Sequence, residues 1–94
     1  MFGPVELEIP TYAWQQVAGQ IIDAIADGTL PPGRRIPNED DLAHSFQVAR
    51  GTIRRSVKWL IKQGVLVAVR GRGTYIAAQR PRPLPTPAGR EAKE

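Results

Sequence analysis

Seven cationic side chains and no acidic one lie between Arg50 and Arg72. Five of them, Arg50, Arg54, Arg55, Lys58 and Lys62, fall in a stretch whose apolar residues Ile53, Val57, Leu60 and Ile61 recur at helical spacing. At about 100° per residue, Gly51, Arg54, Arg55, Lys58 and Lys62 share the side opposite Ile53, Val57 and Leu60. A helix with one apolar and one cationic side suits a polyanionic surface. Arginine can donate two parallel hydrogen bonds to guanine O6 and N7, whereas lysine meets phosphate as a point charge. Arg50 and Arg54 are therefore candidate base readers, and Thr52 a candidate contact to a phosphate or a thymine methyl. Gly51 has no side chain, so the backbone there can approach closely. An ordinary surface helix mixes signs, and the helix expected over 50–63 carries no acid at all.

A second basic element follows. Val65 to Val69 is β-branched and apolar and predicts a strand, Gly71-Arg72-Gly73 a turn, and Thr74 to Ala77 the returning strand. Arg70 and Arg72 flank Gly71, where a thin loop over 70–73 can enter a minor groove or lie on a nucleic-acid backbone. The first strand is apolar on both faces, which leaves room for a partner surface there.

These groups need elements to position them. A first helix is predicted from Thr11, with Thr11 as its cap, Trp14, Val17, Ile21 and Ile25 as its stripe and Gly28 as its stop. Tyr12 and Trp14 are expected in the core, and Trp59 on the flank of the basic helix. Leu30 to Gly33 reads as a turn. Asn38 predicts the cap of a second helix, whose first turn, Glu39, Asp40 and Asp41, complements the helix dipole and whose apolar side is Leu42, Ala43 and Phe46. A break near Gln47-Val48 separates it from the third helix. About three residues between two short helices suit a helix-turn-helix, whose second helix lies in the major groove. The fold is thus expected to be mainly α with a small β-hairpin, a winged helix-turn-helix of three helices plus a two- or three-stranded wing. Residues 1–10 are expected as an extended arm, 11–78 as the DNA-binding domain, and the proline-rich 79–94 as a disordered tail.

Composition narrows the function. The 94 residues suit one domain. Residues 1–49 hold two basic and seven acidic side chains, a net of −5, and residues 50–94 eleven and two, a net of +9. That asymmetry points to a polyanionic partner. With no cysteine and His44 as the single histidine, neither a zinc site nor a histidine-based triad is expected. The dipole of the second helix accounts for Glu39, Asp40 and Asp41 without carboxylate chemistry. No catalytic residue, metal or cofactor is expected. The N-terminus lacks the pattern of a signal peptide, and no apolar run approaches the roughly 20 residues a membrane helix needs. The expected place is the cytoplasm, at the nucleoid, with no membrane partner.

The sequence resembles the DNA-binding domain of the GntR family of bacterial transcription regulators from about Trp14 to Ala77. Trp14, Gln16, Val17 and Ala18 are similar to the family's opening helix. Gly28, Leu30, Pro32, Gly33, Ile36, Pro37, Asn38, Glu39, Leu42 and Ala43 follow its long signature. Val48, Arg50, Gly51, Thr52, Ile53 and Arg54 look like the start of its recognition helix, and Gly71, Gly73, Thr74, Tyr75 and Ile76 like its wing. The resemblance implies a repressor that binds operator DNA as a dimer, on pseudo-palindromes with GT and AC half-sites. It implies that Arg50, Thr52 and Arg54 read or anchor the major groove while Arg70 and Gly71 place the wing. Three features depart from the pattern. Asp40 stands where the family commonly has a DNA-contacting arginine, Ala49 where it has a serine or threonine cap, and the effector domain that commonly follows is not expected here. No small-molecule effector is evident, and a homodimer is expected to form on double-stranded DNA. Two other readings stand beside a repressor: a DNA-binding accessory protein of a plasmid or integrated element, serving replication, transfer or excision, and a winged helix used for protein–protein contact.

Overall fold

The computed structural model describes residues 2–5, 12–79, 81 and 83–87. Its elements run α1 (Ala13–Ala26), α2 (Glu39–Phe46), α3 (Arg50–Lys62), β1 (Leu66–Val69) and β2 (Gly73–Ile76). Each helix follows from its apolar spacing. Val17, Ala18, Ile21, Ile22, Ala24 and Ile25 bury one side of α1. Leu42 and Phe46 do so for α2. On α3 the buried residues are Ile53, Ser56 and Leu60. Helix α3 packs against α1, α2 and β1, so it is the hub on which the core closes.

The helix ends are set locally. Asn38 caps α2 as expected, its Oδ1 accepting from the backbone N–H of Asp41 at 2.8 Å. Thr11, the expected cap of α1, lies outside the described residues. Tyr12 takes the cap position without a side-chain bond, and it is 71% exposed, not core as expected. A side chain ahead of the first helical turn has no neighbouring helix to cover it. Gln47 ends α2 in the left-handed conformation, φ 58°, and the turn from Gln47 to Ala49 delivers the chain into α3.

Two aromatic residues fix the joint between α1 and α3. Trp14 and Trp59 lie with ring centroids 5.7 Å apart, tilted by 55°. Beside them Ser56 Oγ sits 2.8 Å from the carbonyl oxygen of Trp14 and 3.0 Å from that of Thr52, within reach of donating its one proton to either. The hydroxyl explains why a serine occupies the buried stripe in place of Val57, which is only half-buried.

The wing is an antiparallel pair in which Leu66 faces Ile76, Val67 faces Tyr75, Ala68 faces Thr74 and Val69 faces Gly73. Arg72 N–H donates to the carbonyl of Val69 at 2.9 Å, and Gly71 between them has φ 75°, the positive value that a type II turn places at its third residue. The far edge of β2 is covered. Ile36 N–H donates to Thr74 and Ile76 N–H to Arg34, at 2.9 and 2.8 Å, leaving a single bridge, Arg35 to Tyr75, outside the two strands. Of the strand expected to be apolar on both faces, Val65 and Leu66 are buried while Val67 and Val69 are exposed.

Described residues on both sides of the helical domain touch its body. Phe2 stacks on Phe46 at 4.8 Å. The amide of Gln20 pairs with both backbone groups of Gly3, at 3.0 and 3.1 Å, as a neighbouring strand would. In the proline-rich segment Leu84 packs against the core and Pro87 is buried. These two residues depart from the free tail that the composition suggests, because apolar groups on an extended chain can lie along an open helix flank.

Helix α3 begins at Ala49 with no side-chain cap. The substitution Ala49→Ser should stabilise the free protein by about 1 kcal/mol. Denaturant melts of the two proteins check this, and an unchanged midpoint would show that the amides at that end already have another partner.

Candidate nucleic-acid interface

Packing Ile53, Ser56 and Leu60 inward turns the cationic side of α3 to solvent. Arg50, Gly51, Arg54, Arg55 and Lys58 are exposed, and Thr52 is half-buried. The structure separates these side chains into groups. Arg50 and Arg54 point back at the acidic first turn of α2. Arg54 makes a two-pronged bond to Glu39, Nε to Oε2 at 2.9 Å and Nη2 to Oε1 at 3.0 Å. Arg50 forms an ion pair with Asp40, Nε to Oδ1 at 3.1 Å, between side chains 62% and 71% exposed. Arg55 turns toward α1, where its guanidinium lies 5.1 Å over the Trp14 ring. Lys58 shares with Arg54 a cleft of about 250 Å³ between α2, α3 and the wing, closed on its other side by Arg35 and Thr74.

The wing tip stands apart. Arg70, Gly71 and Arg72 are exposed, and among the described residues neither arginine is in an ion pair. Arg35 lies against the base of the wing and lines the cleft that the wing shares with α3. A Cβ on Gly73 would fall 2.6 Å from Arg35 Nε, and Gly73 also has φ 122°, so only glycine lets the Arg35 guanidinium lie against the strand.

The two α2–α3 pairs were not legible in the sequence, where the helix dipole already accounts for Glu39 and Asp40. Arg35 likewise carries no periodic signal. The structure adds the cause of one charge shift: the hydrogen bond from Arg54 holds the Glu39 carboxyl below the ordinary glutamate value, and Glu39 in turn raises Arg54. His44 is exposed on the last turn of α2. Among the described residues no group of three or more histidine and acidic side chains could hold a metal ion, and no helix is long and apolar enough to cross a membrane.

Three helices with the second and third joined by a tight turn, followed by a two-stranded hairpin, define a winged helix-turn-helix. The family model for the bacterial regulatory proteins of the gntR family matches residues 13–76, and the chain belongs to that family. Among its relatives is the mannosyl-D-glycerate transport/metabolism system repressor MngR of Escherichia coli K12, 37% identical over 67 residues, or 71% of this chain and 28% of that protein. Another is the arabinose metabolism transcriptional repressor of Geobacillus stearothermophilus, 32% identical over 77 residues, or 82% of this chain and 21% of that one. The chain thus spans about a quarter of the length of such relatives. Among solved structures, the DNA-binding domain of AraR in complex with operator ORX1 superposes with a TM-score of 0.71 at 33% identity, over 82% of this chain and 99% of that one. YtrA of Sulfolobus acidocaldarius, a GntR-family transcription factor, does so with a TM-score of 0.76 at 30% identity, over 84% and 83%.

A depressed carboxyl contributes stability above its unfolded pKa and loses it as the pH falls through the folded value. Glu39 should therefore titrate below the ordinary glutamate value in the native chain and return toward it in Arg54→Ala. Carbon-detected NMR of the side-chain carboxyls follows both titrations, and an identical Glu39 curve in the two proteins would mean that the pair does not persist in solution.

Proposed function

We propose that this chain is the operator-reading part of a bacterial transcription repressor. The observation that carries the reading is the outward, acid-free face of α3, set between α2 and a wing whose tip holds two more arginines. Arg50, Gly51, Thr52 and Arg54 enter the major groove at the start of α3, where a recognition helix touches base edges. Lys58 and Lys62 lie further along the helix, and Arg70, Gly71 and Arg72 reach the minor groove or the backbone. Arg55, stacked on Trp14, contacts phosphate from the flank. One such helix covers only a few base pairs, so two copies on a two-fold-symmetric site supply a full operator. The AraR domain was solved on its operator, and MngR and the arabinose regulator are named as repressors. Both facts support the reading. Regulation, not catalysis, is the role that follows, and the cytoplasm is its place.

The experiment is titration of the full chain and two variants against a duplex enriched from a random pool and a shuffled duplex of the same composition, at several salt concentrations. Arg54→Ala should weaken binding to the enriched duplex by about 1–3 kcal/mol and relax preference at one base pair. Lys62→Ala should weaken both duplexes alike and lower the salt slope by about one unit. Equal losses on the two duplexes for Arg54→Ala would remove Arg54 from base readout. A wild-type chain without salt-dependent affinity would overturn the reading itself.

A further inference from the structure

The geometry points to Glu39 as a positioning residue for base readout: it holds the Arg54 guanidinium so that the far edge of its fork faces the DNA. This inference rests on the DNA-binding reading above. The carboxylate takes the Nε–H and one Nη2–H of Arg54, at 2.9 and 3.0 Å. A guanidinium has five N–H donors in a rigid plane. After Glu39 has taken two, three remain: both on Nη1 and the outer one on Nη2. The Nη1 and Nη2 protons that point away from Glu39 are parallel and lie at the tip of the side chain. That pair matches guanine O6 and N7. The carboxylate thus occupies the edge that a base does not need and leaves free the edge that it does.

The neighbouring pair supplies the contrast. Asp40 sits one residue on in the same turn of α2 and forms an ion pair with Arg50, Nε to Oδ1 at 3.1 Å, between two largely exposed side chains and without the two-pronged hydrogen bonding of Arg54 and Glu39. An ion pair without that two-pronged bond fixes the plane of the guanidinium less, and exposed pairs of this kind contribute little. Glu39 is the more shielded carboxylate, its side chain 32% exposed against 71% for Asp40. Two like charges on one helical turn therefore have different roles. Asp40 is a negative charge near the DNA backbone. Glu39 is that as well, and is also the support of a reading group.

The two roles have opposite signs. Removing a carboxylate beside phosphate lowers repulsion and should tighten every duplex. Removing a positioning carboxylate releases Arg54 into many rotamers and should weaken only the duplex that Arg54 reads. The test uses the full chain, a duplex enriched from a random pool by the wild type, and a shuffled duplex of equal composition. Asp40→Ala should tighten both duplexes and leave their affinity ratio unchanged. Glu39→Ala should tighten the shuffled duplex yet reduce the ratio about tenfold, within the range one bidentate pair supplies. Glu39→Gln, which keeps the shape and one acceptor oxygen, should fall between Glu39→Ala and wild type. In an Arg54→Ala background, Glu39→Ala should leave the ratio where Arg54→Ala alone puts it. Thermal melts and the Arg54 Nε–H resonance establish that the variants are folded and that the pair is lost.

An unchanged or higher ratio in folded Glu39→Ala overturns the proposal, as does a further drop in the Arg54→Ala background, which would place the effect in the fold of α2. If the wild type enriches a duplex and Arg54→Ala lowers the ratio while Glu39→Ala does not, DNA binding stands and only the positioning role fails. If the wild type enriches none, both fall.

Discussion

The burial of Ile53, Ser56 and Leu60, each with no exposed surface, is the constraint on which the rest of the molecule depends. These residues lie three and four apart along α3 and clamp it against α1, α2 and β1 at once. Each of the two aliphatic side chains contributes about 1.5–3 kcal/mol of burial, and the three contacts forbid rotation of the helix about its axis. A helix that cannot rotate presents a fixed set of outward residues. Here that set includes Arg50, Gly51, Arg54, Arg55, Lys58 and Lys62. The direction of the cations is thus a by-product of core packing, and a change at Leu60 would reach the exposed surface without touching any residue on it.

Periodic features were legible in the sequence because periodicity is how a helix declares its buried side. The stripes of α1 and α3, the Asn38 cap and the turn at Gly71 all depend on residues within one or two turns of each other. Ser56 escaped that reading because its burial depends on a carbonyl of Trp14, 42 positions away, and hydropathy alone places a serine outside. Tyr12 failed in the opposite direction: it is expected in the core, but at about 100° per residue it points away from the side of α1 that Trp14 and Val17 occupy, and it is exposed. Arg35 and Gly73 form a pair only after β2 has folded back beside the 34–36 segment. The family pattern singled out the candidate segments, yet it shows an acid at position 40 only as a departure. The structure gives Asp40 a partner, Arg50.

Charge along the chain and charge in space tell different stories. The first 49 residues are net acidic and the rest net basic, which reads as one sign presented outward. In the folded protein the acidic turn of α2 lies against the start of α3, and the first two arginines of α3 are each in contact with a carboxylate. The helix dipole favours those acids at the α2 N-terminus, and the turn at Gln47 brings them to the arginines. One arrangement therefore serves the dipole of α2 and the ordering of Arg54.

Ordering matters because a free arginine side chain carries about 2 kcal/mol of rotamer entropy, which must be lost when the guanidinium locks onto a base. Where a carboxylate already holds the fork, that loss occurs on folding, and less of it opposes binding. The residue so held gains selectivity and gives up adaptability, since it accepts only a partner that fits the edge left free. Lys58 and Lys62 have no such restraint among the described residues. A flexible ammonium suits phosphate, whose position varies little with sequence and whose recognition needs charge more than direction. On the proposed DNA-binding reading, the α3 face thus divides between Arg54, restrained and suited to discriminate, and Lys58 and Lys62, unrestrained and suited to hold phosphate, and the division is set by the two-pronged bond to Glu39.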